Sequence, residues 1–427
     1  MKTLLILAEH FPPSFSIGGK RPYRFARYLP ACGWRPIVVT TGEPEDARRD
    51  QTPHPLPDSV IVTRTLLPSW WKQAKGTPSD GTTAKPTNTL PSQPTIWRRI
   101  KDQFQLPHTS KRLIRARIVS HLATLVEEHS VDAIYSTSSP YEMLGLGVAL
   151  KKKTGLPLIL DLRDPWSLNF TQRSKPGWYR RWVQRIERRC FEAADTVLFT
   201  CDAAADAYRA AYPHLPSGRI QRIYNSYDPA LKPADSPQSP NKKTIDIVHF
   251  GNCYGPRRLN TVIEAIALLR DRGVADADRL RLVNLGRPAK ADLDLLTELG
   301  LDDRLTWGPF VSYADGIQIL ANAAAQLLLA YGDETLYVPA KTFDYFLTGA
   351  PILCLTASDE LRNMVESTSS GLVSAPRDAE RLADHLSAVI EASRAGMAVC
   401  TPDTAKVEAY SSPHTASQLA KLLDSLT

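Results

Sequence analysis

One short stretch carries residues that could handle a phosphorylated ligand. Between 330 and 355 the sequence reads AYGDETLYVPAKTFDYFLTGAPILCL, with Lys341 and Asp344 set between two apolar runs, 327–330 and 352–355. Pro339 opens a short helical pattern and Gly349 closes it. Proline suits a helix's first turn and glycine the position just past its end, so the segment reads as strand, loop, helix, strand. Lys341 and Asp344 then fall at the start of a helix, beside the carboxyl end of a strand. Ligands of open α/β sheets sit in that crevice, where the helix N-terminus carries partial positive charge. A cation there can neutralise a diphosphate, and a nearby carboxylate can accept hydrogen bonds from sugar hydroxyls. The same spacing also suits an ordinary crossover helix with surface charges.

A second cation comes from the turn Gly251-Asn252-Cys253-Tyr254-Gly255-Pro256-Arg257-Arg258, between a strand expected over 245–250 and a helix over 259–270. Parallel strands all end on one edge of their sheet, so Arg257 or Arg258 reaches the edge that carries Lys341. Two such cations can stabilise the charge building on a diphosphate leaving group without a metal. Asp276/Asp278 and Asp292/Asp294 have DxD spacing. The second pair lies in a helical pattern that turns its carboxylates to different faces, and the first in a polar loop before a strand, so neither reads as a metal site. No metal-ligand spacing appears among the nine histidines. No carboxylate pair stands out as nucleophile and acid, which leaves a two-carboxylate glycosidase scheme without support.

The first half offers weaker constellations. A strand over 3–8 runs into Glu9-His10-Phe11-Pro12-Pro13 and then Gly18-Gly19-Lys20-Arg21, before an amphipathic helix from Pro22 that ends near Gly33. A glycine pair just ahead of a helix lets the backbone approach an anion closely; a plain flexible turn fits as well. The pattern is not GxGxxG, so it does not read as a dinucleotide fingerprint. Asp161-Leu162-Arg163-Asp164-Pro165-Trp166 follows a strand over 158–160 and reads either as a cleft rim or as a buried structural Asp–Arg pair. Gly145-Leu146-Gly147 falls inside a helix, where close packing explains it.

The elements that must position these residues alternate. Further strands are expected over 37–40, 133–136, 196–200, 220–225, 280–285, 305–307 and 326–330, with helices between them and a last pair of helices from Ala379 and Pro413. Residues 228–243, DPALKPADSPQSPNKK, read as a linker. The chain thus divides into an N-terminal Rossmann-like domain over 1–227, a second over 244–411, and a C-terminal helix over 412–427 placed to pack back on the first. The expected fold is α/β, two doubly wound parallel sheets facing across a cleft. A Pro/Thr/Ser-rich insertion over about 72–95 reads as a mobile excursion.

At 427 residues, 43% hydrophobic and 23% charged, the chain is too long for one core. The net charge of +7 and pI near 9.0 suggest an anionic partner. Six scattered cysteines without a CxxC pair favour a reducing cytoplasm. The apolar run at 4–8 is too short for a signal peptide, and no stretch is long enough to span a bilayer. Residues 66–72 form an aromatic island, and 97–117 interleave basic with apolar side chains. That mixture suits either a helix on an anionic membrane interface or a domain-surface helix whose arginine stems cover apolar area. No nucleic-acid reader motif concentrates the basic residues, which disfavours a nucleic-acid partner.

Together these motifs resemble a family 4 glycosyltransferase, a retaining sugar-nucleotide enzyme with the GT-B fold. The points of resemblance are His10-Phe11-Pro12-Pro13 with Gly18-Gly19-Lys20-Arg21, Asp161 through Trp166, Ile223-Tyr224-Asn225-Ser226, Gly251 through Arg257, and Pro339 through Tyr345 with Gly349 and Pro351. They span nearly the whole chain in the family's order. The resemblance implies a nucleotide-sugar donor, a saccharide or lipid-linked acceptor, no metal or other cofactor, and work in the cytoplasm in surface polysaccharide or glycoconjugate synthesis. Membrane contact by the basic aromatic segments would place it at the inner face of the plasma membrane with a lipid-linked acceptor, and a soluble acceptor stays open. It implies that Arg257 and Lys341 hold the donor diphosphate with Gly251 and Asn252 beside them. Gly18 and Gly19 would approach the diphosphate and acceptor. Asp344 stands where the family's E-x7-E motif has its second glutamate, and Leu336 where it has the first, so Glu334 or Asp333 becomes the candidate contact to the donor sugar. Asp164 or His10 would face the acceptor. Two alternatives share the architecture: a non-catalytic sugar-nucleotide-binding protein and a sugar-nucleotide 2-epimerase.

Overall fold

A computed structural model describes residues 1–13, 17–41, 55–65, 112–233, 243–255, 257–308, 311–330 and 336–427. The proposed insertion over 72–95, the aromatic island and most of the 97–117 segment lie outside these residues, as do Asp333 and Glu334. The chain forms two compact units. The first comprises Met1–Phe199, Ala211–Gln221 and Ala420–Thr427, and the second Thr200–Ala210 and Arg222–Leu419.

The first unit is built on a seven-stranded sheet. Its strands are β1 (Lys2–Leu7), β2 (Trp34–Val39), β3 (Ile61–Thr63), β4 (Ala133–Thr137), β5 (Leu158–Leu162), β6 (Thr196–Phe199) and β7 (Ile220–Arg222). Their order is β3-β2-β1-β4-β5-β6-β7, and β1 pairs in parallel with both β2 and β4. Strands covered on both faces read as unbroken apolar runs, and Leu4, Leu5, Ile6 and Leu7 are fully buried. Helices α1 (Ile17–Tyr28), α2 (Arg112–Glu128), α3 (Glu142–Thr154) and α4 (Gly177–Ala193) connect the strands. Gly147 of α3 packs tightly on the sheet, since a Cβ there would lie 2.8 Å from the Ser136 Cβ.

One expectation needs correction here, and one open reading is decided in favour of the buried Asp–Arg pair. Gly18 and Gly19 do not precede a helix; they lie in the first turn of α1. A Cβ on Gly19 would come within 3.2 Å of the Phe11 Cα, so the missing side chain admits the 10–11 backbone against the helix. Asp161 is no cleft rim. It sits within β5, fully buried, and accepts from Arg21 Nη2 at 2.9 Å and Nε at 3.1 Å, and from the Thr137 hydroxyl at 2.7 Å. Arg21 is itself 5% exposed and lies over the Phe25 ring.

The second unit is built on a six-stranded sheet in the order β10-β9-β8-β11-β12-β13. Its strands are β8 (Ile245–Phe250), β9 (Leu280–Leu285), β10 (Leu305–Trp307), β11 (Ala325–Ala330), β12 (Ile352–Thr356) and β13 (Gly371–Ser374). The pairings are parallel, and Ile247, Leu282, Leu327, Leu329, Leu353 and Leu355 share one buried cluster with α6 (Asn260–Asp271). Helix α5 (Asp202–Ala211) starts on Glu360, whose carboxylate accepts from the Asp202 and Ala203 backbone N–H groups at 2.7 and 2.8 Å. In both sheets the order reverses beside the first strand, which places a topological switch point at the carboxyl ends of β1/β4 and of β8/β11.

Arg21→Ala leaves the Asp161 carboxylate buried without its cation. The expected loss is about 3–5 kcal/mol of stability, read from the urea midpoint. A shift worth below about 1 kcal/mol, as an exposed pair would give, contradicts the buried pairing.

Candidate active site

The switch point of the second sheet gathers the charged residues. Strand β8 ends at Phe250, and Gly251 follows with φ 141°, a conformation open to glycine. Its N–H donates to the Leu285 carbonyl at 3.0 Å. Gly286, at the end of β9, is pressed so closely against this turn that a Cβ on it would lie 2.4 Å from the Gly251 oxygen. Asn252 Oδ1 accepts from Arg287 N at 2.9 Å, and Cys253 N donates to the Arg287 carbonyl at 2.8 Å. The loops after β8 and β9 are thus joined backbone to backbone.

From this turn Arg257 donates to the Tyr254 hydroxyl at 2.8 Å and to the Tyr337 hydroxyl at 3.2 Å, with its guanidinium over both rings. Arg258 is taken by structure. It bonds at 2.6 Å to Asp292, a fully buried carboxylate of α7 (Lys290–Glu298) that also accepts from the Leu259 N–H. Of the two arginines, Arg258 is tied to α7 and Arg257 to the two tyrosines beside Lys341.

Helix α9 (Lys341–Thr348) brings the second cation. It begins at Lys341 and stops at Gly349, φ 73°. Phe343, Tyr345, Phe346 and Leu347 are buried, with Phe343 and Phe346 packed on Tyr410. The Tyr345 hydroxyl fixes α9 to the sheet by donating to Leu327 O at 3.1 Å and accepting from Phe250 N at 3.2 Å. The Lys341 ammonium reaches the β8 turn, where a Cβ on Gly251 would stand 3.1 Å from Nζ. Burial, followed by the Arg257 charge, lowers the Lys341 pKa to about 8. Asp344 is almost buried and accepts from the Tyr313 hydroxyl at 2.6 Å.

Two residues that the sequence did not single out complete this edge. His249 of β8 and Asn284 of β9 are fully buried and in register across the sheet. The His249 Nδ1 lies 2.6 Å from Asn284 Oδ1, and Lys341 Nζ lies 3.0 Å from His249 Nε2. The available signal was a polar residue before the last apolar position of each strand, in VHFG and VNLG. Such residues are also common as satisfied core groups.

The structure therefore brings Arg257, Lys341, Gly251, Asn252 and Asp344 to one edge of the second unit. Leu336 is half-buried near the start of this region. Among the described residues no group of three His, Cys, Asp or Glu is placed to hold a metal.

In the first unit His10 follows β1 and is half-buried; burial and then the Arg163 charge lower its pKa. Asp164 is 51% exposed and lies 3.5 Å from Arg163. The loop behind it is held firmly: Trp166 stacks on Tyr141, with ring centroids 4.8 Å apart. The buried Glu187 of α4, also absent from the sequence-derived candidates, accepts from Ser167 N and from the Ser167 and Tyr212 hydroxyls. Gly18 and Gly19 stay within α1.

Comparison with known proteins shows which family builds these two doubly wound parallel sheets. Residues 18–226 match the glycosyl transferase 4-like domain, and residues 244–392 match glycosyl transferases group 1. The chain belongs to the family 4 type of GT-B glycosyltransferases. Its fold is similar to that of the sucrose-phosphate synthase (tll1590) from Thermosynechococcus elongatus, with TM-score 0.63 and 15% identity over 100% of this chain and 99% of that one. It is similar also to the lipopolysaccharide outer core galactosyltransferase WaaB in its apo form, at 0.59 and 13% over 100% and 99%. Anabaena Alr3699/HepE, in complex with UDP-glucose, gives 0.57 and 14% over 100% of both chains. No curated protein matches the sequence.

Gly286→Ala forces the β8 and β9 loops apart. Turnover is expected to fall about a hundredfold, as for a small misplacement of catalytic groups. Gly300→Ala, at φ 63°, meets nothing within 4 Å and should keep turnover, so equal losses in the two variants would show that the Gly251 contact is not what turnover depends on.

Proposed function

We propose that this glycosyltransferase moves a sugar from a nucleoside diphosphate sugar to an acceptor hydroxyl, with retention of configuration and without a metal. The observation that carries the reading is the convergence of Lys341, Arg257 and the Gly251 backbone at the switch point of the second sheet. Negative charge develops on the diphosphate as the glycosidic bond breaks. Preorganised cations stabilise that charge more than the ground state, which lowers the barrier. Asp344, on the same helix as Lys341, is the candidate contact to the ribose hydroxyls. The acceptor hydroxyl attacks the face the diphosphate leaves, with His10 or Asp164 of the first unit as candidate acceptor-side groups.

A saccharide or lipid-linked acceptor in surface polysaccharide or glycoconjugate synthesis fits this reading. Helix α4 exposes Arg180, Arg181 and Arg185, with Trp178 58% and the preceding Phe170 48% exposed. A basic face carrying aromatic side chains suits peripheral contact with an anionic membrane from the cytoplasmic side. No helix of the described residues is long and apolar enough to cross a membrane.

Lys341→Ala is expected to lower kcat by about 10²–10³, the effect of losing one oxyanion-type donor, with the thermal midpoint held. The measurement is release of nucleoside diphosphate from a panel of nucleotide sugars in the presence of acceptor. Near-normal turnover in the variant would remove the reason for placing the donor at this edge.

A further inference from the structure

His249 and Asn284 replace apolar side chains in the centre of a buried parallel sheet. Polar groups there cost free energy unless their hydrogen bonds are complete, and here they are. Asn284 Nδ2 donates to the Gly286 carbonyl at 2.8 Å, which turns Oδ1 towards His249. Oδ1 can only accept, so the proton of the imidazole sits on Nδ1 and the lone pair on Nε2. Nε2 then accepts from the Lys341 ammonium. A second proton on this ring would point straight at Lys341, and burial together with the Lys341 and Arg257 charges holds the His249 pKa well below its usual value.

We propose that His249, fixed in one tautomer by Asn284, is the positioning residue for the Lys341 ammonium and sets the site's affinity for the donor diphosphate. This inference rests on the donor site proposed above. A carboxylate in place of His249 would orient the lysine equally well but would neutralise it. A neutral imidazole takes one of the three N–H donors and leaves the charge for the ligand. The titratable groups acting on the ammonium are Arg257 and Cys253 from the β8 turn, Asp344 from its own helix and His249 from β8. None of these is an acid bonded to it among the described hydrogen bonds.

The sign of the pH dependence follows. Lys341 in the free protein loses its charge as pH rises past about 8. A bound diphosphate favours the ammonium, so, once the ligand's own terminal phosphate is ionised above about pH 6–7, affinity falls as pH rises past the Lys341 value. Loss of the imidazole acceptor disfavours the charged form, so the fall begins at lower pH.

The test is titration calorimetry on the full chain with UDP, GDP, ADP and the matching monophosphates, from pH 6.5 to 9.5. The proteins are the wild type, Lys341→Ala, His249→Asn, His249→Gln, Asn284→Leu and His249→Asn combined with Lys341→Ala. The wild type is expected to bind at least one diphosphate. His249→Asn and Asn284→Leu should weaken that diphosphate about tenfold or more, within the range for misplaced binding groups, and shift the alkaline fall downward. Monophosphate binding should move far less. His249→Gln, whose amide oxygen can accept from Nζ, should recover part of the loss. In the Lys341→Ala background His249→Asn should add nothing. Wild-type diphosphate affinity and pH dependence in folded His249→Asn or Asn284→Leu overturn the inference. So does an equal loss for mono- and diphosphates, which marks a general collapse of the site. A wild type that binds none of the diphosphates overturns the donor site itself.

Discussion

Two like charges beside a buried strand are the constraint around which the second unit is arranged. Removal from water, and then the Arg257 charge, disfavour the charged form of Lys341. Such a site persists only where surrounding groups fix it. Arg257 is spread over two tyrosine rings and two hydroxyls. Lys341 is attached to the sheet through its helix, whose Tyr345 bridges β8 and β11.

Backbone contact makes that arrangement stiff. At the Gly251/Gly286 crossing the loops after two neighbouring strands meet with no side chain between them. The main chain of β8 can therefore approach a ligand as closely as it approaches the Lys341 ammonium. Asp292 contributes from a distance: by binding Arg258 and the Leu259 N–H it fixes where α6 starts, and so where Arg257 leaves the turn.

Much of this was legible in the sequence because parallel strands advertise themselves. The runs at 245–250, 280–285 and 305–307 match β8, β9 and β10 residue for residue, and Pro339 and Gly349 bracket α9 as their backbone preferences require. Local signals failed where a distant partner decided. Arg21 and Asp161 are 140 residues apart, so their pairing has no local trace. Glycine is a poor helix former, which put Gly18 and Gly19 outside α1; the approach of Phe11 overrides that preference. The choice between Arg257 and Arg258 turned on Asp292, in a later helix. His249 and Asn284 were hidden because a lone polar residue in a strand has meaning only once its neighbour across the sheet is known.

The two units use the same switch point in different ways. At the first sheet the charges near the edge are largely consumed by structure: Arg21 is locked to Asp161, and Glu187 holds the loop behind Asp164. At the second sheet the anchoring is done instead by tyrosine hydroxyls, backbone crossings and a neutral imidazole. None of these groups is an acid. The polar groups buried beneath Lys341 are an amide and an uncharged ring rather than an acid, so the group that holds the ammonium does not neutralise it.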